Sequence, residues 1–260
     1  MRVLIACEFT GKIRDAFAAT GHEAWSCDLL PTETPGNHYQ GDVRDILYSE
    51  KWDLLIAHPP CTFLSRAANQ VWNAPGRAEN RQKAYEFFML FVNAPISKIC
   101  IENPVGYANT TYRKPDQIIH PYYFGERHLK KTCLWLSGLP KLWYWPVDDL
   151  FGKRTMTDYP EPIYIDKTPR KKKRYFTDAG HGGHARSRSF DGIAQAMAQQ
   201  WGSLAFQHCV NSDVGDSATP RDFIYPVAGS SAQALSAPAH KPVTQTVSPP
   251  FMAKEKCKCI

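Results

Sequence analysis

No apolar run in these 260 residues approaches the ~18 needed to cross a bilayer, so no helical membrane span is expected. The opening MRVLIACEFTGKIRD has only five apolar residues before the first charge, which is a first strand rather than a secretion signal. Cysteines are few. The eight (Cys7, Cys27, Cys61, Cys100, Cys133, Cys209, Cys257, Cys259) are too sparse for a disulfide scaffold. Several sit inside apolar runs, as small buried hydrophobes do, which fits a reducing, cytoplasmic setting. No internal repeat is present. The final CKCI has Lys258 where a prenylation box wants an aliphatic residue, so no lipid anchor is read there. What remains is ordinary for one α/β domain: 43% hydrophobic and 22% charged residues, enough for one sizeable core. The formal charge of +6 is compatible with a polyanionic partner without requiring one.

Short apolar runs alternate with helical patterns through the first half. Strands are expected at 2–7, 23–28, 54–58 and 98–101. Between them lies a helix at 11–20, with Ile13, Phe17 and Ala18 on its apolar face and Gly21 ending it. A longer helix is expected at 76–92. Such alternation gives an α/β fold, a mostly parallel sheet covered by helices on both faces, with its site beyond the carboxyl ends of the strands. A strand is expected at 132–139. The segment 142–186, rich in Trp, Tyr, Pro and Lys, reads as an irregular basic and aromatic insertion. A helix at 186–206 follows, capped by Asp191, with Ile193, Ala194, Met197 and Trp201 on one face. The domain is thus drawn at 1–207. From 208 to 260 the chain is Ser, Ala, Pro, Thr and Val without periodicity, and is expected to be a disordered tail.

Each expected strand ends in polar chemistry. Glu8-Phe9-Thr10-Gly11 is a tight turn opening a helix, where backbone N–H groups can face a ligand. Asp28 ends the second strand at the spacing from which an acid can grip ribose hydroxyls, and Gly41-Asp42 forms another polar turn. His58-Pro59-Pro60-Cys61 and Glu102-Asn103-Pro104 end neighbouring strands. Two prolines fix φ and hold the following thiol in one place. A thiol and a carboxylate in one pocket make a recognisable pair, the sulfur attacking a ring and the acid binding a ring nitrogen.

F-T-G, an acid ending strand two, P-P-C and E-N-P occur here in the order that characterises DNA cytosine-C5 methyltransferases, and over 1–206 the chain resembles that family, its small phage-borne members most of all. The resemblance implies a Rossmann-like S-adenosylmethionine-dependent methyltransferase fold. It further implies methyl transfer from S-adenosylmethionine to C5 of cytosine in DNA. Cys61 would add to C6, with Pro60 beside the base and cofactor, while Glu102 would hold N3 and the exocyclic amine. Phe9, Thr10, Gly11 and Pro60 would line the cofactor, with Asp28 on its ribose and Asp42 at its adenine. A basic residue among Arg127, Lys130 and Lys131 would favour the thiolate. Three features depart from the family: no second glycine follows F-T-G, E-R-H-L-K-K replaces the usual Gln-x-Arg-x-Arg, and the space for a target-recognition domain is short. His58 stands where the family carries glycine.

A base inside a duplex must be flipped out to reach the thiol, at a cost of a few kcal/mol, offset largely by phosphate contacts. Arg170, Lys171, Lys172, Lys173 and Arg174 are the candidate backbone clamp, against the reading of a solvated charged loop. His181 and His184 fall short of a zinc site, and no metal is expected. Alternatives are a free pyrimidine nucleotide or RNA as substrate, or a non-catalytic module that binds DNA or cofactor. An exocyclic-amine methyltransferase is disfavoured by His58 before, and Cys61 after, the proline pair.

Overall fold

A computed structural model describes residues 1–66, 73–126, 128–144, 162–165, 173–175 and 187–203. Its centre is a seven-stranded sheet built from β1 (Arg2–Ala6), β2 (Glu23–Asp28), β3 (His38–Gln40), β4 (Leu54–Ala57), β5 (Ile99–Pro104), β6 (Gln117–Ile119) and β7 (Thr132–Ser137). The order across the sheet is β3-β2-β1-β4-β5-β7-β6. The first five strands run parallel, while β7 is antiparallel to both of its neighbours, β5 and β6. This is the Rossmann-like, mostly parallel α/β architecture expected from the sequence. The order turns back between β1 and β4, where parallel sheets open a crevice at their carboxyl ends.

Strands buried on both faces need apolar side chains in both directions, and β1 and β4 supply them as unbroken runs. Leu4, Ala6, Leu55, Ala57, Ile99 and Ile101 point to one face. There they pack with Phe88 and Phe91 of α3 (Arg77–Val92). Val3, Ile5, Leu54, Ile56 and Cys100 point to the other. That face is covered by α1 (Lys12–Ala19), through Ile13 and Phe17, and by the last described helix, through Met197 and Trp201. With short α2 (Arg44–Leu47) and α4 (Ala108–Thr111), that last helix, Asp191–Gly202, is α5.

Several boundaries and faces differ from expectation, each for a non-local reason. Ala18 is exposed, and Arg14 is buried in its stead. Arg14 donates to Ser26 Oγ, Thr32 Oγ1, Thr34 Oγ1 and the carbonyls of Thr34 and Pro35, at 2.7–3.2 Å. A charge can leave water only when its donors are met in this way. Arg14→Met should therefore destabilise the fold by about 2–4 kcal/mol, since it strands those acceptors without closing the gap. A denaturant midpoint left unchanged would refute that.

Asp191 does not cap α5. It is the first residue of the helix and pairs with Lys12 Nζ at 2.9 Å, while the Gly192 N–H is taken by Glu126 Oε1 at 3.2 Å. The helix itself is shorter at both ends than 186–206. The E-N-P residues lie within β5 rather than after it, because they pair with Leu134, Cys133 and Thr132 of β7. The edge strands β3 and β6, of three residues each, carry too little pattern to be read from sequence. Inside the segment expected to be irregular, β8 (Pro162–Ile165) and β9 (Lys173–Tyr175) form an antiparallel pair. The tail, Arg127, Arg170 to Lys172, His181 and His184 lie outside the described residues.

Candidate active site

The carboxyl ends of β1, β2, β4 and β5 gather the polar residues that the sequence singled out. β4 ends in Ala57, and His58 follows with its N–H on the Ala6 carbonyl at 2.9 Å, so β1 holds the start of the thiol loop. Pro59 is buried; Pro60 and Cys61 are exposed. The Asn103 amide, itself buried, donates to the Pro59 carbonyl at 2.7 Å and so fastens the proline pair to β5. Beyond Cys61 the chain turns tightly, with the Leu64 and Ser65 N–H groups on the Cys61 carbonyl. It then pairs with the loop after β5: Tyr107 N–H on Leu64 O at 2.7 Å, Arg66 N–H on Val105 O at 3.1 Å, and a bridge between Ser65 and Gly106. From α3, Arg77 and Arg81 donate to the carbonyls of Thr62 and Phe63, and Arg77 lies over the Phe63 ring. The loop is thus held on three sides while its thiol faces outward.

Cys61 is the one exposed cysteine among the described residues. The others are poor nucleophiles by environment. Burial pushes Cys27 up to about 12, with Asp28 and Asp42 adding to the effect. It likewise raises Cys7, Cys100 and Cys133. A thiol must ionise to attack, and burial opposes that, even at Cys133, where it outweighs the charge of Lys131.

Glu102 sits on β5, next to β4, with its side chain 20% exposed. Burial by itself would raise its carboxyl, but the His58 imidazole in contact with it, and the charge of Lys130, outweigh that and hold it at about 2. Lys130 arrives there because β7 runs antiparallel, which returns the residues before Thr132 to the carboxyl end of β5. Its Nζ also lies 5.5 Å from the centre of the Phe190 ring. Lys131 is exposed, and its charge acts on His120 and Cys133 instead. Of the two described basic residues singled out, Lys130 is the one whose charge acts on Glu102.

At β1 the chain turns through Cys7, a non-glycine residue at φ +60°, and the Glu8 N–H reaches the Cys27 carbonyl. Glu8 then caps α1 from inside. One carboxylate oxygen accepts the Ile13 N–H at 2.9 Å and the Thr10 hydroxyl at 3.0 Å. The expectation that the first N–H groups of this helix face a ligand is therefore corrected at Ile13, whose N–H is taken by the chain itself. Phe9, Thr10 and Gly11 are buried. Glu33 N–H and the Thr34 hydroxyl close over them onto the Phe9 and Thr10 carbonyls. Asp28 accepts the Leu30 N–H, beside an exposed Leu29. Asp42 accepts the Arg44 N–H and pairs with its guanidinium.

Two residues were missed as parts of this site. Glu8 is 3% exposed, and its second carboxylate oxygen has no partner among the described residues. An acid directly before F-T-G was the available signal. Asn103 was read only as part of a motif, though its amide is the strut under Pro59. Among the described residues no three His, Cys, Asp or Glu side chains group to hold a metal, and no helix is long and apolar enough to cross a membrane.

No family model matches the chain, and no curated protein matches it in sequence. Among solved structures, an Escherichia coli prophage-encoded protein described as a DNA modification methyltransferase aligns with a TM-score of 0.35 and 13% identity. The alignment covers 52% of this chain and 46% of that one, so this chain spans less than half the length of that protein.

Proposed function

We propose that this chain methylates C5 of cytosine in DNA, with Cys61 as nucleophile toward C6 and Glu102 as the acid that meets the ring. The observation that supports this most directly is the exposed thiol on a braced proline loop after β4, with a buried-side carboxylate at the end of the adjacent β5. A binding module has no use for a nucleophile and an acid set on adjacent strand ends.

The residues at the β1 and β2 ends suit S-adenosylmethionine, which supplies an electrophilic methyl group. The unmatched Glu8 oxygen is an anionic acceptor of the kind an ammonium group requires, and Asp28 is an acid poised for ribose hydroxyls. Phe9, Thr10, Gly11 and Pro60 form the wall, and Asp42 lies at the far edge. The thiolate of Cys61 forms the bond to C6, and the Glu102 carboxylate accepts a hydrogen bond from the exocyclic amine, which holds the ring for that addition. Pro59 and Pro60 keep the sulfur at one angle to the flat ring. Lys130 favours the anionic forms around it. Lys131 and Arg127 belong to the same basic stretch, and Arg170 to Arg174 are the proposed contact to DNA phosphates. The domain is proposed to span 1–207.

The test is direct. Labelled S-adenosylmethionine and duplex DNA are incubated with the protein, and the DNA is digested to nucleosides. Label in 5-methylcytosine is the expected result. Label in N4-methylcytosine or N6-methyladenine defeats the proposal, as does transfer to dCMP or RNA in preference to duplex DNA.

A further inference from the structure

Glu102 does not meet its substrate alone. The parallel register sets Ala57 of β4 against Ile101 of β5, which places the next residues, His58 and Glu102, level with each other. Their side chains touch, His58 Nδ1 lying 2.5 Å from Glu102 Oε2, at 14% and 20% exposure. Since the partner is a carboxylate, Nδ1 carries the hydrogen. The other ring nitrogen, Nε2, is buried with no partner among the described residues. The imidazole is therefore held by Glu102 and by nothing else that the described residues show.

We infer that His58, as imidazolium bonded through Nδ1 to ionised Glu102, is the source of a proton that reaches N3 of the target ring by way of that carboxylate as Cys61 adds to C6. The inference rests on the pyrimidine reading given above. In the step, the S–C6 bond forms and the C5=C6 π pair spreads over C5, C4 and N3. The Nδ1–H bond of the imidazolium breaks as Glu102 takes that proton and the N3–H bond forms as Glu102 gives it up, leaving neutral imidazole, its remaining hydrogen on Nε2, against ionised Glu102. After methyl transfer the C5 proton leaves to solvent, C5=C6 is restored, the thiolate departs, and the N3 proton returns to the pair. His58 acts through Glu102 and is a positioning residue that also supplies charge. Among the described residues, the charged and titratable groups that act on or feel Glu102 are Lys130 from before β7 and the buried thiols of Cys100 on β5 and Cys133 on β7. Lys130 remains to balance Glu102 once the proton has gone.

The full chain carrying His58→Gln decides the matter, because the amide can still bond Glu102 but holds no transferable proton. Methyl transfer to cytosine DNA should fall by about 10²-fold, the usual scale for losing a general acid. Cofactor affinity should be unchanged. An equal rate overturns the inference. His58→Asn serves if the glutamine variant fails to bind cofactor. A second readout needs no turnover. Carbon NMR of the Glu102 carboxyl should show it titrating far higher in His58→Gln, where burial is no longer offset by the imidazole. An unmoved titration overturns the pairing itself. Should wild-type protein methylate no cytosine, the proposed function fails and takes the N3 step with it, while the titration still decides whether the two side chains share a proton.

Discussion

Cys61→Ser is expected to lower methyl transfer by roughly 10⁴-fold or more while leaving S-adenosylmethionine affinity intact, because removing a nucleophile closes the whole covalent route. A serine hydroxyl is nearly isosteric but far less ionised than a thiol. Affinity should survive because Glu8, Asp28 and the turn at Gly11 stand at the ends of β1 and β2 rather than on the thiol loop. DNA containing 5-fluorocytosine gives the sharper readout. Fluorine at C5 cannot leave as a proton, so the adduct cannot collapse, and wild-type protein should remain attached after denaturation. Cys61→Ser should not attach at all. Attachment in the serine variant would move the nucleophile to another residue and end the assignment of Cys61.

The second large effect is expected at Gly106, which is not in a left-handed conformation and so is not needed for its φ. It is needed for space. A Cβ placed there would lie 1.9 Å from the Leu64 carbonyl oxygen, 2.8 Å from its carbon and 2.9 Å from Ser65 Cα. All three are backbone atoms, so no side-chain rotation relieves the clash. Gly106→Ala must push the Cys61 loop away from the loop after β5, disturbing the Tyr107–Leu64 and Arg66–Val105 hydrogen bonds. Since a misplacement near 1 Å at a reacting group can cost about 10²-fold, the rate should fall by that order or more. Stability should fall by about 1–3 kcal/mol, as overpacking does. Cofactor affinity should not change. Full activity in Gly106→Ala would show that the bracing of the thiol loop is irrelevant to its chemistry.

Much of the sheet was legible because parallel strands buried on both faces read as short unbroken apolar runs. β2 was read with both of its ends, and β1, β4 and α3 within one residue, because each is bounded by a glycine, a proline or a charge. The apolar residues of α5 also fell on one face as expected. What escaped was set by distant partners. The buried face of α1 includes Arg14 because Ser26, Thr32, Thr34 and Pro35, twelve or more residues away in the chain, satisfy its donors. The cap of α5 comes from Glu126 rather than from Asp191, since chain proximity gives no information about which acid reaches a helix end in space.

For the site, the sequence by itself determined the candidates. A thiol behind two prolines and an acid before Asn-Pro are local features, and their places after apolar runs put them at strand ends. Only the tertiary structure decided how they are supported: His58 against Glu102 through the β4–β5 register, Lys130 returned to that carboxylate by the reversed β7, and Gly106 against Leu64 where two loops meet. These depend on which strands lie side by side and in which direction. That is settled by the burial of both sheet faces at once, a property no single segment carries.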